Sequence, residues 1–562
     1  MTLQSSIRVC IDESLKALGL SLSDIHLEHP QEVEHGDYAT SVALVLAKQE
    51  DENPRDMAER IKKTLEKKLP PEVERVEIAG PGFINFHLRR LFFADAIGEI
   101  LAAKEAWGRC EIYAGKKAMV EYTDANPFKE FHLGHLMTNV IGESIARIIV
   151  CAGAEVKRAN YQGDTGLHVA KAMYGMMRLE GDRHSIAAWG EAYARGASAY
   201  EDETSAKGEI EAINKNIYEG SDAVIQELYR TGRETSLAHF EEIYKKLGTA
   251  FDFYFFESET GPRGLQIVKG HLGDVFEESE GAIIYRGEKK GLHTRVFVNS
   301  QGLPTYEAKE LGLAAVKQEI WAHDMTIVVT AHEIKDYFAV LKAALSDIAP
   351  DIADKITHIG HGFLRLPSGK MSSRKGTVIT GESLIEELAA AAREKITSKT
   401  TDEDERTLIS QAVAVAAIKY SILKQSPGKD IIFEKEKSLS FEGDSGPYLQ
   451  YAHVRSLSVL KKAAAEGIVP SVGGKIPSEV TLLEKLLYQF PEEVERSASL
   501  YDPHYIAQYL TELAGAFNSY YAKQIIVDDT PEAPYRVALT SAFENTMRNG
   551  LSLLGIRPLE RM

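Results

Sequence analysis

Residues 121–136 read Glu-Tyr-Thr-Asp-Ala-Asn-Pro-Phe-Lys-Glu-Phe-His-Leu-Gly-His-Leu, and the fold turns on how this stretch is parsed. Ala118, Met119 and Val120 close a short apolar run just before it, and Asn126-Pro127 is a turn signal. From Leu136 onward, Val140, Ile141, Ile145, Ile148 and Ile149 recur at helical spacing. The stretch therefore reads as strand, loop and helix, with His132, Gly134 and His135 at the handover. A helix N-terminus offers unpaired N–H groups and a partial positive charge, and a glycine there allows close approach, so the position suits the phosphates of a nucleotide. Two imidazoles add donors that need not be charged.

Working outward, residues 113–395 alternate strand-like runs (118–122, 155–161, 325–330, 359–366) with longer helical patterns, which predicts a doubly wound, Rossmann-type parallel sheet. Such a sheet gathers remote loops outside the carboxyl ends of its strands. One of these is basic, Lys370-Met371-Ser372-Ser373-Arg374-Lys375-Gly376, set between the 359–366 run and the strand-like Thr377-Val378-Ile379. A charge-rich helical stretch, 187–244, interrupts the alternation and reads as an insertion without assigned chemistry. Residues 1–112 form a small α/β module with an amphipathic helix (Ile7, Ile11, Leu15, Leu18), helices over 40–48 and 54–68, and a strand-like segment over 73–88. Residues 403–562 are almost entirely helical.

Composition limits the function classes. A chain of 562 residues exceeds a single core, so several domains are expected. Cys10, Cys110 and Cys151 are scattered without metal-ligand spacing, so neither a disulfide framework nor a protein-bound metal site is predicted. The start lacks the basic segment and apolar run of a secretory signal, and no stretch approaches the ~18 apolar residues of a membrane helix; a cytoplasmic protein without a membrane partner is expected. A formal charge of −18 argues against a nucleic-acid partner. Net charge is an average, however, and the cluster Arg60, Lys62, Lys63, Lys67, Lys68 is read as a solvated helix face.

The pair formed by His132-x-Gly134-His135 and the Lys370 loop resembles the paired signatures of class I aminoacyl-tRNA synthetases. Further phrases narrow the resemblance to arginyl-tRNA synthetases: His35-Gly36-Asp37-Tyr38-Ala39-Thr40, Gly80-Pro81-Gly82-Phe83-Ile84-Asn85-Phe86, residues 440–453 around Gly446-Pro447-Tyr448-Leu449-Gln450-Tyr451, and the ending Leu554-Gly555-Ile556 to Met562. The resemblance implies a Rossmann-type catalytic domain, a module binding the outer corner of tRNA(Arg), and an all-α anticodon-binding bundle. It implies L-arginine, ATP accompanied by Mg2+, and tRNA(Arg) as substrates, and a monomer.

By the same resemblance, His132, Gly134 and His135 contact ATP. Lys370, with Met371, Ser372, Ser373 and Lys375, closes over the pyrophosphate. Many members lack the first lysine of that loop and use one ahead of the histidines; this chain carries both, Lys129 and Lys370. His332 and Glu333 match an adenosine-contacting position, and Gly163 and Asp164 a phrase near the pocket. Glu121 and Glu310, with Tyr306, are implied for the guanidinium, and Asn126 for the α-amino and carboxylate groups, with His132 nearby. Asp124 stands where a small hydroxyl residue is common, and Glu310 replaces the usual Asp. A carboxylate suits a guanidinium because the planar donor fork pairs bidentately. Phe83 and Asn85 are implied for a D-loop base, and Tyr448, Tyr451, Tyr520 and Met562 for the anticodon, where splayed bases stack on rings. Two rivals are a class I nucleotidyltransferase acting without RNA, which leaves the Tyr448–Tyr451 phrase unexplained, and an inactive RNA-binding relative, expected to have lost His132, His135 or Lys370.

Overall fold

The computed structural model describes residues 2–30, 32–367, 380–396 and 402–562. Its chain divides into two compact units, one made of 1–109, 452–496 and 509–549, the other of 110–451, 497–508 and 550–562.

In the first unit, helix α1 (Leu3–Ala17), capped by the Thr2 hydroxyl, packs with α2 (Val42–Glu50), α3 (Pro54–Leu65) and α4 (Arg90–Ala103) on a three-stranded antiparallel sheet. The strands are β1 (Tyr38–Thr40), β2 (Val73–Ala79) and β3 (Phe83–Leu88), in the order β1-β3-β2. The expected single strand over 73–88 is a hairpin: Gly80 (φ 53) and Gly82 (φ 143) supply the left-handed backbone that reverses the chain. The basic cluster is partly paired, Arg60 with Glu52, Lys62 with Glu66 and Lys68 with Glu13. The same unit holds the helices Leu482–Leu500 up to residue 496, His504–Lys523 from 509 on and Ala533–Leu553 up to 549.

The second unit is built on a five-stranded sheet of β4 (Lys117–Glu121), β5 (Glu155–Gln162), β6 (Phe253–Phe256), β10 (Met325–Ala331) and β11 (Ile356–His361). All neighbours pair parallel, in the order β11-β10-β4-β5-β6. The chain winds from β4 outward to β6 and then returns to β10, so the switch point lies between β4 and β10. Helix α5 (Leu133–Cys151) is buried on nearly every side, the polar Thr138, Asn139, Glu143 and Ser144 included. The short, aromatic β6 was not anticipated, because Phe253-Tyr254-Phe255-Phe256 shows no alternation. Nor was a three-stranded antiparallel sheet of β7 (Glu277–Ser279), β8 (Ala282–Tyr285) and β9 (Arg295–Val298).

The remaining helices of this unit begin with α6 (Leu167–Met176). The interrupting segment follows as α7 (Ile186–Asp202), α8 (Thr204–Glu219) and α9 (Ala223–Leu247). After α10 (Glu257–Gly270) and α11 (Tyr306–Ile320) come α12 (Lys335–Ile348), the single-turn α13 (Pro350–Ala353), α14 (Gly381–Lys395) and α15 (Glu403–Leu423). Among the described residues no helix is long and apolar enough to cross a membrane.

Candidate active site

Strand β4 ends at Glu121, and the loop from there to His132 is backbone-strained. Thr123 (φ 82), Asp124 (φ 49) and Phe128 (φ 67) lie in the left-handed region without being glycine. Each such residue costs ~1–3 kcal/mol and persists only where its surroundings over-determine it. Here they do. Asn139 Nδ2 donates to Thr123 Oγ1 (2.9 Å), the Tyr161 N–H to Asp124 Oδ1 (2.9 Å), and the Phe128 N–H to Ser236 Oγ (2.9 Å).

His132 caps α5. Its Nδ1 accepts from the N–H groups of Gly134 (3.1 Å) and His135 (3.3 Å), while His135 Nδ1 accepts from the His132 N–H (3.4 Å). The rings stack 3.5 Å apart. Burial, and then the charge of Lys129, push the His132 imidazole down to about 4, and burial holds His135 well below the usual histidine range. Both rings are neutral at pH 7. With each Nδ1 accepting, the proton sits on Nε2, a donor that the cap does not use.

Two expectations are corrected by this geometry. The first-turn amides of Gly134 and His135 do not point freely at an anion, because His132 takes both. A Cβ on Gly134 would lie 2.9 Å from the His132 ring, so the glycine makes room for the folded-back imidazole.

Beside the loop, carboxyls crowd. Glu121 is 2% exposed and pairs with the buried ammonium of Lys317. Burial, and then the charge of Glu121, hold the Asp124 carboxyl well above the usual range and push Glu310 up to about 8. Glu310 and Lys317 border a cavity of about 20 Å3 together with Leu313, Phe338 and Leu341. Tyr306 and Glu310 share one face of α11 at i, i+4, with Tyr306 exposed at the helix start.

A second cluster joins residues the sequence nominated to residues it missed. A Cβ on Gly163 would meet Asn126 Oδ1 at 2.3 Å and Glu257 Oε1 at 3.2 Å, so all three converge after β4, β5 and β6. Glu257 pairs with Lys309 (2.6 Å), both buried, and Thr165 Oγ1 lies 3.2 Å from the Lys309 ammonium. Glu257 and Lys309 carry no local signal, since a glutamate after an aromatic run and a lysine on a helix are commonplace; only the fold pairs them. Asp164, wholly buried, accepts from the Ser258 N–H (2.9 Å), Ser258 Oγ (2.7 Å) and Tyr229 Oη (2.8 Å).

His332 and Glu333 follow β10, adjacent to β4; both are exposed, and His332 Nδ1 donates to the His361 carbonyl (3.1 Å). The loop residues Lys370, Met371, Ser372, Ser373 and Lys375 lie outside the described residues. Thr380, immediately C-terminal to them, forms an antiparallel bridge with His132, and the Gly381 N–H donates to the Phe131 carbonyl (2.7 Å). Among the described residues no group of three or more His, Cys, Asp or Glu side chains could hold a metal ion.

Of the residues nominated for RNA, Phe83 and Asn85 open β3 in the first unit, the phenyl half-buried and the amide 3% exposed. Tyr520, half-buried, also belongs to that unit and packs beside Val459 and Ile526. Tyr448 and the exposed Tyr451, one turn apart on the helix Gly446–Ala465, belong to the second unit, as does Met562.

Residues 96–435 match the family model described as tRNA synthetases class I (R), catalytic domain. Residues 4–88 match the arginyl tRNA synthetase N terminal domain, and 449–562 the DALR anticodon binding domain. The chain is 31% identical over 565 residues to an arginine-tRNA ligase of Treponema denticola, covering 96% of this chain and 95% of the relative. It is 29% identical to one of Limosilactobacillus reuteri over the full length of both. The structure is similar to that of Thermus thermophilus arginyl-tRNA synthetase, with a TM-score of 0.82 at 26% identity, covering 99% of this chain and all of the other. An arginyl-tRNA synthetase from Plasmodium falciparum has the same fold, with a TM-score of 0.81 at 19% identity.

Proposed function

The chain belongs to the arginyl-tRNA synthetase family, and on that premise we infer that it is an arginine-tRNA ligase: the carboxylate of L-arginine attacks the α-phosphorus of ATP, pyrophosphate leaves, and the arginyl group passes to the terminal adenosine of tRNA(Arg) as AMP is released. The nucleophile comes from the substrate, so the protein contributes alignment and stabilisation of charge on the phosphates. His132 and His135 donate Nε2–H to those phosphates as neutral groups. Lys370, with Lys129, Met371, Ser372, Ser373 and Lys375, meets the charge that builds on the leaving pyrophosphate, and such contacts raise turnover because they strengthen in the transition state. His332 and Glu333 face the adenosine.

Asn126 holds the α-amino and carboxylate groups of arginine, with Gly163 giving it space. Glu121 and Glu310 take the guanidinium with Tyr306 at the edge, and Asp124 stands beside Asn126 on the same loop; a buried carboxylate left without its partner would reject a neutral or shorter side chain without an editing site. Mg2+ arrives with ATP. Phe83 and Asn85 serve the outer corner of the tRNA, and Tyr448, Tyr451, Tyr520 and Met562 the anticodon. The enzyme acts in the cytoplasm as a monomer. The observation that carries the reading is the bridge between Thr380 and His132, which joins the flank of the Lys370 loop to the histidine pair despite their separation in sequence.

The test is aminoacylation of tRNA(Arg) with each of the standard amino acids, together with the Lys370→Ala variant. Charging by arginine alone is expected, with turnover in the variant lowered about 10²–10³-fold and the KM for ATP little changed. Charging with another amino acid overturns the specificity, and unchanged turnover assigns the pyrophosphate contact to Lys129.

A further inference from the structure

We propose that the helical insertion α7–α9 is a positioning device for the phosphate-binding lysine Lys129, acting through a clamp on Phe128 and a ring beneath the lysine ammonium. The inference rests on the reading of Lys129 as a contact to the ATP phosphates.

Phe128 is fully buried at a left-handed φ of 67, a conformation that a bulky L-residue does not hold unaided. What holds it comes from the insertion. Ser236 on α9 accepts its N–H (2.9 Å) while donating to the Gly232 carbonyl (2.7 Å). The phenyl ring lies edge-on to Trp189 of α7, with centroids 5.2 Å apart, and stacks with Tyr229 of α9 at 5.7 Å. A Cβ on Gly232 would sit 2.4 Å from the Phe128 ring and 2.6 Å from Trp189, so the glycine is the floor of this socket. Tyr229 is itself pinned, its hydroxyl donating to the buried Asp164 (2.8 Å) that follows β5.

Lys129, next in the chain, inherits the backbone direction that this socket imposes. Its ammonium lies 4.5 Å from the centroid of the Tyr193 ring on α7, a cation–π contact that orients the charge without neutralising it. A carboxylate in that place would hold the lysine more firmly but cancel the charge the phosphates need. Helix α7 also runs close to Glu130: a Cβ on Gly190 would be 3.0 Å from the glutamate Cγ. The insertion therefore touches three consecutive residues of the loop that leads into the histidine pair. Tyr193, Phe128 and Ser236 are positioning residues in this account, and Lys129 is the group that meets the phosphates.

The experiment is arginine-dependent pyrophosphate exchange, in the presence of tRNA(Arg), by the full-length enzyme and its Lys129→Ala, Tyr193→Leu, Tyr193→Phe and Lys129→Ala/Tyr193→Leu variants, each checked for unchanged circular dichroism and melting temperature. Lys129→Ala should lower kcat about 10²-fold. Tyr193→Leu should lower kcat about tenfold with the KM for arginine unchanged, and Tyr193→Phe should restore it, because the ring face and not the hydroxyl meets the lysine. The double variant should be no slower than Lys129→Ala, since the tyrosine has nothing left to position. If Lys129→Ala is slow but Tyr193→Leu stays within twofold of the native enzyme, or if the two losses multiply in the double variant, the insertion does not position the lysine and the inference falls while the reading of Lys129 stands. If Lys129→Ala itself is unaffected, that reading fails and the inference falls with it.

Discussion

At the scale of single residues, α5 is capped by a histidine, where Ser, Thr, Asp or Asn is the usual choice. The imidazole does what a short side chain would do, since Nδ1 accepts two first-turn N–H groups, yet it keeps a second nitrogen that the cap does not use. Capping and donation can thus be separated. His132→Asn should retain the cap and the melting temperature while lowering kcat about 10²–10³-fold, whereas His132→Ala should lose a further ~0.5–2 kcal/mol of stability; equal stability losses in urea denaturation would refute the split. The carboxyl of Glu310, pushed up to about 8 by burial and by Glu121, makes a prediction in pH. Below that value it is neutral and must release a proton before it can pair with a guanidinium. The KM for arginine should therefore fall as pH rises from 6.5 toward 8.5, by up to about tenfold per unit on the acid side, and Glu310→Gln should flatten the profile. A native profile already flat across that range would exclude Glu310 from the guanidinium contact.

At the scale of elements, Lys419 on α15 is buried at 1% exposure and donates to the carbonyls of Leu247 at the end of α9 (2.6 Å) and Gly555 near the C-terminus (2.6 Å). Nearby, Arg147 of α5 donates to the Ser552 carbonyl (3.1 Å) and Ser144 to the Leu553 carbonyl (2.9 Å), so one ammonium and one guanidinium tie α5, α9, α15 and residues 552–555 together. Burial, and then the charge of Arg147, push Lys419 down to about 7. Because the unfolded lysine titrates near 10.5, between pH 7 and 10.5 the unfolded chain binds more protons than the folded one. Stability contributed by this site therefore rises with pH through that window and is lost as pH falls toward 7. Lys419→Met, which leaves two carbonyls without their donor, should cost ~1–3 kcal/mol and remove this part of the pH dependence. Urea denaturation at pH 7 and pH 9 measures both; identical pH slopes in the two proteins would show that the ammonium is not strained by burial.

At the scale of the whole molecule, one carboxylate proposed for arginine is already engaged, since Glu121 is paired with the buried Lys317. On the proposed function a guanidinium competes with Lys317 for Glu121, and tRNA(Arg) is expected to favour that exchange. Arginine should bind about tenfold or more tighter in the presence of tRNA(Arg), within the usual range of coupling between sites, as titration calorimetry with and without the RNA would report; equal affinities would mean that the RNA does not favour the exchange. Much of this organisation was legible in the residues alone. The strand, loop and helix around His132, the alternation that makes a parallel sheet, and the phrases that mark an arginyl-tRNA synthetase all rest on local periodicity and short motifs, which the backbone must obey wherever the rest of the chain lies. Other features had no such signature. That Gly134 accommodates a folded imidazole, that Lys317 occupies Glu121, that Glu257 and Lys309 form a buried pair, and that a charge-rich insertion grips Phe128 are contacts between side chains brought together by the sheet and its crossovers. A linear pattern records spacing along the chain, and the energies of those contacts depend on distance and burial in space.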